Sequence, residues 1–126
     1  MNILDSSGWL EYFSGGPNAD IFKDPLKNLA RLIVPTICIY EVFRVVIREK
    51  GEDEALQAVA LMRQGRLADL DMEIAAWAAK ISLNQKLPMA DSIIMATGLM
   101  SGSTIWTMDD HFKKLPGVNY IPKQKK

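Results

Sequence analysis

Five acidic side chains stand where this sequence can gather negative charge. Asp5 closes a short apolar run, Met1 to Leu4, and Asp109 and Asp110 follow another that ends at Thr107. Asp91 falls in the first turn of a segment that is apolar nearly all round, and Glu41 two turns into a segment that starts after Pro35. Carboxylates brought within a few ångströms raise one another's pKa, and burial adds to the cost of their charge. A hard divalent cation relieves that repulsion, and Mg²⁺ or Mn²⁺ accepts carboxylate oxygens while keeping waters. Such an ion lowers the pKa of a bound water and clamps the oxygens of a phosphodiester during hydrolysis.

The elements that must carry these acids are readable from hydropathy and breakers. Met1–Leu4 reads as a buried strand, and Ser6 or Ser7 as the cap of a short helix through Trp9, Leu10 and Phe13. A turn at 14–18 precedes a weak helix reaching Leu29, then a strand at Leu32–Val34. Thr36 reads as the N-cap of a helix that ends at Gly51, with Val42, Phe43 and Val46 inward and Glu41, Arg44 and Arg48 on a polar stripe. Glu52–Arg66 reads as a helix with Leu56, Val59, Ala60 and Arg63 at helical spacing, Leu67–Leu70 as a strand, and Met72–Asn84 as a helix burying Ile74, Trp77, Ala78 and Ile81. A buried helix over about Ala90–Met100, a strand at Ser103–Thr107, a short helix at Asp109–Leu115 and a strand at Val118–Ile121 complete the chain. Strands alternating with helices predict an α/β fold around a mainly parallel sheet, with ligands at the C-terminal strand ends where strand order reverses. If the first and fourth strands are neighbours, the acids after them converge.

Length and charge bound the function further. At 126 residues the chain predicts a single domain, 1–126. Its 15 basic and 15 acidic groups cancel, but unevenly. Lys113, Lys114, Lys123, Lys125 and Lys126 lie in a stretch with no acid, which leaves residues 1–112 with a net charge of −5. That tail, frayed from residue 123, offers phosphate contacts to a nucleic acid. One cysteine, Cys38, excludes an internal disulfide and a Cys-rich zinc site. No apolar run reaches the ~20 residues that span a bilayer. No signal-peptide layout is visible, so a cytoplasmic location is expected.

Each acid also has a plainer reading. Asp5 could cap the first helix, Glu41 pair with Arg44, Asp91 favour a helix dipole, and Asp109 and Asp110 cap the turn before Phe112. His111 reads as a surface or partly packed residue, and Trp9, Trp77 and Trp106 as core.

Taken together, Ile3-Leu4-Asp5-Ser6-Ser7, Val34-Pro35-Thr36 followed by Glu41, Ala90-Asp91-Ser92 through Thr97, and Thr107-Met108-Asp109-Asp110-His111-Phe112 resemble the elements of PIN-domain ribonucleases, in particular VapC-type toxins of toxin–antitoxin pairs. The resemblance spans the chain. It implies a three-layer α/β/α fold with four to five strands and a metal-dependent endoribonuclease using Mg²⁺ or Mn²⁺. It places the family's acids on Asp5, Glu41, Asp91 and Asp109, with Asp110 the alternative to Asp109, and supporting hydroxyls on Ser6 and Thr107. It further implies an RNA substrate, a homodimer, and a cognate antitoxin that blocks the site with an inserted basic side chain. The helix at 52–66, through Leu56, Val59 and Met62, is the candidate wall of the antitoxin groove.

Two other classes compete. A non-catalytic interaction module on the same fold would misplace an acid, whereas all four stand in order. A phosphate-handling α/β domain, such as a receiver or a haloacid-dehalogenase-type phosphatase, also puts an Asp after its first strand. The phosphatase pattern wants a second Asp where Ser7 stands, and the receiver pattern wants its adjacent acids near the first strand, not at Asp109-Asp110.

Overall fold

The computed structural model describes residues 1–124. Five short strands, β1 (Asn2–Leu4), β2 (Ile33–Pro35), β3 (Arg66–Ala68), β4 (Thr104–Thr107) and β5 (Val118–Tyr120), alternate with six helices: α1 (Ser6–Ser14), α2 (Ala19–Leu26), α3 (Thr36–Lys50), α4 (Glu52–Met62), α5 (Met72–Gln85) and α6 (Met89–Ser101). All strand pairs are parallel. β1 pairs with β4 in the register Asn2↔Thr104, Ile3↔Ile105, Leu4↔Trp106, and β4 pairs with β5. β2 pairs with β3, and a parallel bridge from Asn2 to Leu32 joins the two groups in the order 3-2-1-4-5. Helices on both faces complete the three-layer α/β/α arrangement. Order reverses between β1 and β4, so the crevice beyond Leu4 and Thr107 is the topological switch point.

The core explains why strands this short persist. Ile3, Leu4, Leu32, Val34 and Ile105 are buried, as parallel strands covered on both faces require. Trp9 and Phe22 from α1 and α2 and the α6 run Ile93–Ala96 pack into the same cluster. α6 is buried from Ser92 through Gly98, which accounts for its near-continuous apolar sequence. Gly98 allows close approach: a Cβ there would stand 2.8 Å from Ile105 Cδ1. α6 stops at Gly102, whose φ of 63° is the left-handed conformation that glycine adopts without strain.

Several elements differ from the sequence expectation for definable reasons. Asp5, not a serine, caps α1, accepting from the Gly8 amide, and Ser6 is already helical. Thr36 is the first residue of α3 rather than its cap, because Pro35 ends the strand and supplies the extended cap geometry without a side-chain bond. α4 ends at Met62 and buries Ala55, Ala58 and Met62, leaving Leu56 and Ala60 exposed. Its inner face thus pairs two alanines with the large Met62, and the helix lies against α3. β3 covers Arg66–Ala68, two residues short of Leu70. Trp77 lies on the outer side of α5, whose buried positions are Ile74, Ala78 and Ile81. The weak helix after the first turn stops at Leu26, with a separate 3-10 turn at Leu29–Arg31. After Asp109 there is a 3-10 turn over Asp110–Phe112 rather than a helix to Leu115.

Past β5 the chain is anchored by Asn18, a side chain fully inside the protein. Its Nδ2 donates to the Pro122 carbonyl at 3.0 Å and to Met108 Sδ at 3.3 Å, and its Oδ1 accepts from Gln124 Nε2 at 2.8 Å. Gln124 is thus bonded to a buried side chain; Lys125 and Lys126, the end of the segment expected to fray, lie outside the described residues. Lys113 places its amine 5.7 Å from the Tyr120 ring centre, so it packs on an aromatic face. Asn18→Ala removes the hydrogen-bond partner of Met108 Sδ, the Pro122 carbonyl and Gln124 Nε2 at once. It should cost about 1–3 kcal/mol in urea unfolding and expose the 122–124 segment to carboxypeptidase.

Candidate metal centre

The site begins with how β1 ends. Asp5 is 3% exposed, and its amide donates to the Trp106 carbonyl at 3.1 Å, extending the β1–β4 ladder by one residue. Its Oδ1 accepts from the Gly8 amide at 3.0 Å and from Ser7 Oγ at 2.6 Å. Its Oδ2 accepts from Thr107 Oγ1 at 2.7 Å. The two hydroxyls then reach onward: Ser7 Oγ accepts from the Met108 amide at 2.9 Å, and Thr107 Oγ1 from the Asp109 amide at 2.9 Å. One carboxylate thus caps a helix and pins the exit of β4. The capping and site readings of Asp5 describe the same geometry.

Around this network lie the other acids. Asp91, in the first turn of α6, has a side chain only 13% exposed. Asp109 caps the 3-10 turn by accepting from the His111 amide at 2.9 Å. His111 then turns back: its Nδ1 stands 3.0 Å from Asp91 Oδ2 and 3.0 Å from Asp109 Oδ1. Ligating atoms of Asp91, Asp109 and His111 all fall within 4.8 Å of one another. Asp5 and Glu41 are outside that tight set. Glu41, partly buried on α3, accepts from Ser6 Oγ, so Ser6 supports Glu41 rather than Asp5. Asp110 is exposed and forms none of these bonds. The charges of Asp5, Glu41 and Asp91 all bear on the buried Cys38, whose thiol is held well above its ordinary range by burial and by those acids.

Electrostatics follow from burial without compensation. Desolvation pushes the Asp5 carboxyl from 3.8 to about 6, against the pull of its Ser7, Thr107 and Gly8 hydrogen bonds, with Asp109 adding repulsion. Asp91 is also raised to about 6, first by burial and then by Asp109, with His111 pulling the other way. His111 is raised by Asp109 and then Asp91. Among the described residues no lysine or arginine pairs with Asp5, Glu41, Asp91 or Asp109. Oxygen donors close together, short of positive charge and opened to solvent at Asp109 and His111 are a donor set that suits a divalent cation.

Two residues of this site were given no role in it from the sequence. Ser7 holds Asp5 and β4 together; its position two residues past a helix-capping acid was the available signal. His111 closes the cluster, where a surface role was expected. The signal was its spacing from Asp109, since an Asp cap whose carboxylate takes the amide two residues on draws that residue to itself. Ser7→Ala deletes a donor to Asp5 and strands the Met108 amide. It should cost about 1–3 kcal/mol in chemical unfolding. Because the lost bond favours the charged form, the Asp5 midpoint, read by carboxyl ¹³C NMR, should move above its starting value of about 6.

Comparison with known proteins gives this geometry a family. A search of curated protein sequences returns no match. Solved structures share the fold at low identity. A toxin–antitoxin complex from Klebsiella pneumoniae is 20% identical, with 96% of this chain and 100% of that chain covered at a TM-score of 0.79. A VapC toxin from Mycobacterium tuberculosis, described as cleaving the sarcin-ricin loop, is 14% identical, with 92% and 95% covered at 0.78. DNA-bound VapBC from Salmonella typhimurium is 17% identical, with 97% and 98% covered at 0.77. The sequence profile of the PIN domain matches residues 3–118, and the chain belongs to the PIN domain family.

Proposed function

We propose that this chain is a divalent-cation-dependent endoribonuclease and the toxin of a toxin–antitoxin pair. The observation that carries the reading is the buried Asp5 and the largely buried Asp91, both raised to about 6 and joined by Asp109 at the switch point, with no basic partner among the described residues beyond His111. Family membership and the VapC-type proteins among structures of the same fold support it. Asp5, Glu41, Asp91 and Asp109 are its acidic residues, with Ser6 and Thr107 behind them, and Mg²⁺ or Mn²⁺ is the cation. The whole chain acts as one nuclease domain in the cytoplasm; no helix among the described residues is long and apolar enough to cross a membrane.

Each group has a task. When bound, the cation supplies Lewis-acid polarisation of the scissile phosphate and an acidified water. Asp91 and Asp109 would hold it, with Asp5 adding negative charge from beneath. Thr107 and Ser7 keep the Asp5 oxygens aimed and occupied, and Ser6 fixes the rotamer of Glu41. Acids that repel RNA until a cation is present make binding depend on that cation more than on overall charge.

The partners follow from surfaces. A groove of about 760 Å³ runs from Ser7 and Met108 between α1, α3 and α4, lined by Leu10, Phe13, Val46 and Leu61. It is the seat we assign to the antitoxin, whose basic side chain would reach the acids from there. α4 does form one wall, but through Ala58 and Leu61; Leu56 is exposed elsewhere and Met62 is buried inside the core. Met72, Trp77, Leu83 and Met89 leave apolar surface on α5 and the start of α6, which supports a second copy of the chain as a further partner.

Purified protein should cleave RNA with Mg²⁺ or Mn²⁺ and not with EDTA. Asp5→Asn, which keeps volume and cap geometry, should lower the rate about 100-fold or more at unchanged circular dichroism. Cleavage that survives both EDTA and this substitution sinks the reading. Stability gives a second check. Asp5, Asp91 and His111 all have raised folded-state pKa values, so the folded state binds more protons than the unfolded one. Cation-free protein should therefore lose stability as pH rises from 3.8 through about 6 and on past the histidine. At pH above that window, cation at 100 times its Kd should restore about 2.7 kcal/mol, measured as a rise in Tm. A Tm that climbs with pH in EDTA contradicts the assignment.

A further inference from the structure

Resting on the metal-dependent reading above, we infer that His111 is a direct ligand of the cation through Nδ1, completing a two-carboxylate, one-imidazole set with Asp91 and Asp109. The argument is one of spacing. Two cis ligands in an octahedral shell of radius about 2.1 Å stand about 3.0 Å apart. Nδ1 stands 3.0 Å from Asp91 Oδ2 and 3.0 Å from Asp109 Oδ1. One ring nitrogen therefore holds the cis separation to an oxygen of each acid at once. The backbone that carries the ring is held in place. The His111 amide is bonded to Asp109 Oδ1 at 2.9 Å, and the 3-10 turn over Asp110–Phe112 is rooted by the buried Phe112. With the side chain 53% exposed, the open side of the set faces solvent, where waters and a phosphate oxygen can complete the shell.

The chemical consequence is metal preference. Three oxygen donors would leave Mg²⁺ and Mn²⁺ poorly distinguished, whereas an imidazole favours transition ions and is a poor partner for Mg²⁺, which dehydrates reluctantly. His111 thus sets this site toward Mn²⁺. The rival geometry is an imidazole that merely hydrogen-bonds both acids and leaves when an ion arrives. The two differ in whether a bond between nitrogen and metal exists.

The chain has a single histidine, which makes that bond directly observable. ¹⁵N-histidine protein is titrated with ¹¹³Cd²⁺, a diamagnetic stand-in for Mn²⁺, and calorimetry is run with Mn²⁺ and Mg²⁺ on wild type and His111→Ala. The inference expects a one-bond ¹¹³Cd–¹⁵N coupling at Nδ1. It also expects Mn²⁺ affinity to fall about tenfold in His111→Ala while Mg²⁺ affinity changes less than about twofold. A free-imidazole spectrum without coupling, or equal changes for the two ions, overturns the ligand role and leaves the nuclease reading standing. Wild type that binds none of the three ions overturns both.

Discussion

The hydrogen bond from Thr107 to Asp5 is the contact on which this site turns. It joins the ends of the two neighbouring strands where the sheet order reverses, and it does so inside the protein, where a carboxylate is costly. Burying Asp5 is tolerable because all its bonds come from groups that must be there anyway: the first-turn amide of α1, a serine on that turn, and the threonine that ends β4. Those same hydroxyls accept from the Met108 and Asp109 amides, so the path of the chain out of β4 is dictated by the charge at the end of β1. Asp109 and, through it, His111 take their positions from that path.

The site thereby combines two kinds of acid. Asp5 is saturated with donors and works from below. Among the described residues Asp91 meets the His111 imidazole, Asp109 meets that ring and the His111 amide, and their remaining charge faces outward. This division leaves net negative charge at the site although both Asp5 oxygens already have partners. Hydrogen bonds neutralise direction, not net charge, and the repulsion among the three carboxyls persists through them.

Much of this was legible in the residues. The alternation of apolar runs and helical periods gave the parallel α/β sheet, and pairing of β1 with β4 brought the acids of two distant segments to one edge. Asp5, Asp91 and Asp109 stood out because each follows or opens a buried element. Less was legible where tertiary packing outranks local pattern. Leu56 and Trp77 occupy helical spacing as well as their buried neighbours do, but α4 buries Ala55, Ala58 and Met62 and α5 meets α6 through Ile74, Ala78 and Ile81. Periodicity names a face; it does not say which edge of that face the neighbouring helix covers. Ser6 and Ser7 show the same limit at finer scale, since adjacent helical residues point about 100° apart and only the backbone decides which one meets Asp5. His111 was hidden because its role depends on a turn fixed by Asp109.

The pairing of Leu4 with Trp106 and of Asp5 with Thr107 joins positions 102 residues apart. A ribosome making this protein releases Asp5 102 residues ahead of Thr107. Until Thr107 has emerged, the acid at the end of β1 has neither its hydroxyl donor nor the neighbours that would share an ion with it. The acids of the two strand ends can therefore meet only after β4 has emerged and paired with β1, a contact of long sequence separation.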